Sequence, residues 1–185
     1  MVESEPDLLA LLRARDPRGF ELCYARHRDA IYGFLLRLSG QRAIAEDLFQ
    51  ETWLRLARKG AELRPGSDLR AWLFTVARNA YRSLLRSRHP QAREEELDEL
   101  LAPGDAAQGV ELSELERALL ALPLEERELL LLVGVEGFAQ DELARMLGVA
   151  APALRQRVTR ARARLAQALE RGPASAPRPR RIHER

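Results

Sequence analysis

Apolar positions recur along this chain at three- and four-residue intervals. No alternation of apolar and polar residues persists anywhere, so the pattern predicts an all-α protein. A short helix is expected over 8–13. Asp16-Pro17 reads as a helix start, with Asp as N-cap and Pro at the first helical position. After it, Phe20, Cys23 or Tyr24, His27, Ile31, Phe34, Leu35 and Leu38 share one face until Ser39-Gly40 stops the helix. A second helix is expected over 42–59, ending at Gly60. Pro65-Gly66 marks a loop, and Ser67-Asp68 caps a third helix over 69–88. There Leu69, Trp72, Leu73, Val76, Ala77, Ala80 and Leu84 form the expected buried stripe, with Tyr81 pointing outward.

His89-Pro90 closes this first unit, and the stretch that follows, with Ala-Pro-Gly-Asp at 102–105, reads as a linker. Four more helices fit 111–122, 125–133, 140–147 and 152–170. The last two are joined at Gly148, which is a helix-turn-helix grammar. The Pro- and Arg-rich tail is expected to stay disordered unless an acidic partner orders it. Four parts are therefore expected: a helical domain over 1–89, an acidic linker over 90–112, a helix-turn-helix domain over 113–172, and a basic tail over 173–185.

Composition narrows the classes. A length of 185 residues fits one domain or two small ones. Hydrophobic residues at 46% suffice for a core, while 31% charged residues exclude a membrane protein. Apolar runs such as 129–133 are too short to span a bilayer. The acidic N-terminus lacks the order of a secretion signal, and Cys23 is alone. No Cys/His spacing suggests a metal, so a cytoplasmic protein without metal or cofactor is expected. The net charge of +2 hides a segregation. Residues 1–89 hold sixteen basic and eleven acidic side chains, 90–112 hold one and seven, and 113–185 hold thirteen and ten. Basic, acidic, basic is an organised pattern rather than a uniformly solvated surface.

Three helix faces carry the candidate chemistry. On the last helix, Leu154, Val158, Ala161, Leu165 and Leu169 make the apolar stripe, and Gln156 and Thr159 point away from it. Arg155 and Arg162 flank that polar centre on one side; Arg157, Arg160 and Arg164 flank it on the other. Two cationic rows around a polar centre suit the major groove, with arginines on phosphates and the central residues at base edges. A solvated amphipathic helix is the plainer reading, but these arginines have no acidic partner on their own helix before Glu170. On the third helix, Arg78, Arg82 and Arg86 repeat every four residues with Asn79 beside them, a row able to grip a phosphate backbone or equally a solvated face. Trp72 lies at the core boundary, where packing is favoured over base stacking, and Tyr81 is a weak stacking candidate. On the second helix, Asp47, Gln50, Glu51 and Leu54 share a face that suits docking to a basic partner helix. Without a His, a third carboxylate or a Gly-rich phosphate loop, catalysis has no support there. His27 reads as a packed histidine.

Taken in order, these residues resemble the extracytoplasmic-function (ECF) family of bacterial RNA polymerase sigma factors. The motifs are Ala45-Glu-Asp-Leu-Phe-Gln-Glu-Thr-Trp53, Ala71-Trp-Leu-Phe-Thr-Val-Ala-Arg-Asn79, Leu120-Ala-Leu-Pro-Leu-Glu-Glu-Arg-Glu128, Gly137-Phe-Ala-Gln-Asp-Glu-Leu-Ala144 and Arg155-Gln-Arg-Val-Thr-Arg-Ala-Arg162. The resemblance implies a non-enzymatic promoter-specificity subunit whose partners are core RNA polymerase, promoter DNA and an anti-sigma factor. It places Asp47, Gln50, Glu51 and Leu54 on the polymerase clamp. It places Arg78, Asn79, Arg82 and Arg86 on the melted −10 element, and Arg155, Gln156, Arg157, Thr159 and Arg160 on the duplex −35 element. The linker, with its acidic run 94–99, would thread toward the catalytic cleft. Ser83 stands where the family usually has Asp, Ala139 where it has a capping Ser, and Pro152-Ala153 where it has Gly-Thr. A stand-alone helix-turn-helix regulator and a sigma mimic that sequesters an anti-sigma factor are the competing readings.

Overall fold

The computed structural model describes residues 5–92, 96–97 and 112–171. The rest of the expected linker and the tail over 173–185 lie outside the described residues. All regular structure among the described residues is helical. The helices are α1 (Glu5–Arg13), α2 (Pro17–Ser39), α3 (Arg42–Lys59), α4 (Leu69–Arg88), α5 (Glu114–Leu120), α6 (Leu124–Leu130), α7 (Gln140–Leu147) and α8 (Ala151–Arg171). A 3₁₀ turn, Gly60–Glu62, follows α3, and a π-turn, Leu131–Val135, extends α6. The chain clusters into two compact units, Met1–Leu36 with Ala43–His89 and Arg37–Arg42 with Pro90–Arg185.

In the first unit the caps sit where the side chains dictate. Asp16 accepts from the backbone N–H of Arg18 at 3.0 Å, ahead of Pro17, and Asp68 accepts from Ala71 N–H at 2.8 Å. The core takes Leu8, Leu9 and Leu12 from α1, Ile31, Phe34 and Leu35 from α2, and Ile44, Leu48 and Leu56 from α3. From α4 it takes Leu69, Leu73, Phe74 and Ala77. Each buried Leu or Ile contributes about 1.5–3 kcal/mol. Gly19 lets α1 and α2 touch: a Cβ there would lie 2.7 Å from Leu12 N and 2.8 Å from Leu11 Cβ.

The buried arc of α4 is wider than its apolar stripe implies. Tyr81 is not outward but buried, as are Phe74 and Leu85, while Leu84 is only half-buried. Phe74 meets Phe34 of α2 edge to face at 5.3 Å. That contact draws this flank of α4 inward, and Tyr81 and Leu85, seven and eleven residues on, follow it.

The second unit stacks α8 on α5, α6 and α7. Its core holds Leu119, Leu129, Leu131, Leu132, Phe138, Leu143, Leu154 and Val158. Helix α5 starts at Glu114, later than periodicity suggests, because Ser113 and Glu116 form a reciprocal capping box. Arg127 is fully buried and donates to the carbonyls of Leu119 (3.2 Å), Leu120 (3.1 Å) and Leu122 (2.9 Å). Those carbonyls lie at and just beyond the end of α5, where helical N–H donors run out. Leu119 O also accepts from Leu122 N–H at 3.1 Å, and the guanidinium supplies the donors that Leu120 and Leu122 would otherwise lack. Gly148, at φ 67°, ends α7 in the left-handed conformation, with Val149 N–H donating to Ala144 O at 3.0 Å.

Candidate nucleic-acid and partner interfaces

Helix α8 turns Leu154, Val158 and Ala161 inward and leaves Arg155, Gln156, Thr159, Arg160 and Arg162 exposed. Arg157 is half-buried. The cations fall into two groups. Arg155 Nη2 lies 3.2 Å from Asp141 Oδ1 of α7. Arg157 Nη1 lies 2.6 Å from Glu125 Oε1, and Arg164 Nη1 lies 3.0 Å from Glu126 Oε1. Arg160 and Arg162 have no ion-pair partner among the described residues. Thr159 Oγ1 donates to Arg155 O at 2.9 Å, so its hydroxyl proton is used within the helix and its methyl group remains to face outward. Ala139 caps α7 without a side-chain hydrogen bond; Glu142 reaches back and accepts from Ala139 N–H at 3.3 Å.

On α4 the row of basic residues divides. Asn79 and Arg86 are exposed, Arg78 is half-buried, and Arg82 is 4% exposed. Arg82 therefore supports α4 from within. Trp72 is half-buried, as expected of a residue at the core boundary.

On α3, Asp47, Gln50 and Leu54 are exposed and Glu51 is half-buried. Glu51 Oε1 accepts from Arg55 Nε at 2.7 Å. Beside this patch lies a feature that charge and periodicity did not announce: an open groove of about 320 Å³ lined by Phe20, Tyr24, Phe49, Gln50, Trp53, Leu54 and Ala57. Its rings interlock, with Tyr24 and Trp53 centroids 4.8 Å apart and Phe49 and Trp53 5.8 Å apart. The available signal was the pairing of aromatics four residues apart on both helices, Phe20 with Tyr24 and Phe49 with Trp53.

Among the described residues no group of three His, Cys, Asp or Glu side chains is placed to hold a metal ion. No described helix is long and apolar enough to cross a membrane. The exposed features suit binding: a helix-turn-helix with an arginine-bearing second helix, and a separate helical unit with a mixed acidic and aromatic face.

Family comparisons agree. The Sigma-70 region 2 family matches residues 23–90, and the Sigma-70 region 4 family matches 112–165. The chain is 39% identical over 146 residues to the ECF RNA polymerase sigma factor EcfG of Rhodopseudomonas palustris, covering 76% of this chain and 79% of that protein. It is 32% identical over 169 residues to the ECF sigma factor SigM of Mycobacterium tuberculosis, covering 90% and 85%. Among solved structures it is similar to the sigma factor RpoE of Bartonella quintana in complex with the anti-sigma factor NepR. The TM-score there is 0.66 at 33% identity, covering 82% of this chain and 96% of that one. It is also similar to CnrH in complex with the cytosolic domain of CnrY, with a TM-score of 0.71 at 25% identity, covering 91% and 99%. The chain belongs to the ECF family of RNA polymerase sigma factors. It is a promoter-specificity subunit that acts in transcription initiation.

Proposed function

We propose that the division of labour follows the two units. Asp47, Gln50, Glu51 and Leu54 dock on core polymerase, with the aromatic groove beside them taking apolar side chains of the same partner. Arg78, Asn79 and Arg86 hold the melted −10 strand, and Arg82 keeps their helix in place. Arg155, Gln156, Arg157, Thr159 and Arg160 belong to the −35 reader, with Gln156 and Thr159 at base edges. Domain bounds of 1–89, 90–112, 113–172 and 173–185 fit this division. The phosphodiester chemistry belongs to the polymerase, the chain works in the cytoplasm, and an anti-sigma factor controls it, as the relatives' complexes suggest.

One observation carries this reading. The acidic face of α3 and the arginine-bearing face of α8 are both turned to solvent, on different units, so one chain offers a polymerase surface and a DNA surface. The experiment is in vitro transcription with core polymerase, followed by mapping of start sites. Specific initiation is expected from wild type, and D47K/E51K is expected to lose polymerase binding. A stand-alone regulator would bind duplex DNA tightly without polymerase and ignore D47K/E51K. A sigma mimic would bind an anti-sigma factor and leave promoter DNA alone.

A further inference from the structure

Arg157 and Arg164 stand seven residues apart, on the same side of α8 two turns from each other. Their partners, Glu125 and Glu126, are consecutive residues in the first turn of α6. The pairs are close, at 2.6 and 3.0 Å, and Arg157 also donates a hydrogen bond to Glu125. The Glu126 side chain is only 15% exposed, and its Oε2 is buried without a hydrogen-bond partner. This carboxylate thus depends on Arg164 and on the positive end of α6 for its stabilisation. A DNA phosphate reaching Arg157 would have to displace Glu125, which would then face it with like charge.

We infer that Arg157 and Arg164 are positioning residues: they fasten α8 to α6 through Glu125 and Glu126 and fix the rotation of the recognition helix about its own axis. This rests on α8 being the −35 reader. Successive residues lie 100° apart around a helix, so rolling α8 by that amount would bring Arg157 to where Gln156 stands. Rotation therefore governs which side chains meet base edges. With the two pairs closed and Arg155 held by Asp141, Gln156, Thr159 and Arg160 face outward together, and Arg160 and Arg162 are the cations left to meet phosphates.

The test uses the full chain bound to core polymerase and a promoter duplex recovered by wild-type holoenzyme from a randomised pool. R157E is expected to bind it about tenfold more weakly, the worth of about 1.4 kcal/mol. E125R/R157E restores the pair with signs exchanged, and is expected to return to within about threefold of wild type with the same −35 base preference. R157A is expected to leave the salt slope of binding unchanged, whereas R160A lowers it by about one. A double variant as weak as R157E, an R157E that binds like wild type, or an R157A slope that falls like that of R160A would overturn the inference. Melting curves check that each variant is folded, and the R157A slope decides the matter should R157E not fold. Failure of the −35 reading looks different: wild-type holoenzyme would recover no shared −35 sequence, and R160A would bind as wild type does.

Discussion

Acidification should weaken the first unit through one histidine. His27 is 6% exposed on α2, and burial holds its imidazole down to about 4 from the ordinary 6.5. Arg26 and Arg70 push in the same direction and Asp68 opposes them. Between those two values the unfolded chain binds a proton that the folded unit refuses. Folding stability is therefore complete above the ordinary value and falls as pH drops toward 4. Lowering the pH from 7 to 5 crosses most of that window and costs on the order of 2 kcal/mol, a sizeable part of a small domain's stability. Both tryptophans, Trp53 and Trp72, lie in this unit, so intrinsic fluorescence reports its unfolding alone. In urea, the wild-type midpoint should fall by about 1 M between pH 7 and 5, while His27→Gln, which carries no titrating ring, should shift far less. Comparing the two proteins removes the contribution of carboxylates of the same unit such as Asp16, which Arg18 holds low. Equal shifts for both proteins would refute the reasoning.

Four further outcomes follow from particular positions. Gly19→Ala places a methyl against Leu11 and Leu12 and should destabilise by about 1–3 kcal/mol, read by thermal melting; an unchanged Tm would mean the helices separate freely. Ala139→Ser completes the capping box that Glu142 half-forms and should add about 1 kcal/mol, visible as a higher Tm of the second unit. Arg82→Ala should lower stability markedly, by several kcal/mol, because it empties a buried site. Exposed Arg86→Ala should change stability by less than about 0.5 kcal/mol while weakening binding to −10 single strand; matching losses of stability would contradict the placement.

What the sequence made legible was whatever acts over a few residues. Asp16-Pro17 and Asp68 announce helix starts because capping is a matter of one side chain and one nearby N–H. Gly148 announces the turn of the helix-turn-helix because few other residues accept a positive φ. The exposed faces of α3 and α8 were legible too, since a helix has a fixed period. What escaped depends on neighbours from distant parts of the chain. Tyr81 and Arg82 look outward when α4 is considered alone, and only contacts such as Phe74 with Phe34 reveal the wider buried arc. The partners of Arg157 and Arg164 lie 32 and 38 residues away, so no inspection of α8 by itself could find them. The Ser113–Glu116 box was readable but hidden beside a linker whose composition suggested irregular chain.

The region 2 match begins at residue 23, yet α1 ends at Arg13 and Gly19 is the point where α1 and α2 press together. Leu8, Leu9 and Leu12 are thus a lid of aliphatic carbon contributed by chain upstream of the recognisable domain, and α1 rests on the 3₁₀ turn Gly60–Glu62 that leads toward α4. An expression fragment trimmed to the matched borders would strip that lid, wetting the interior and loosening the approach to the helix assigned to the melted strand. Any isolated fragment of the first unit should begin no later than residue 5.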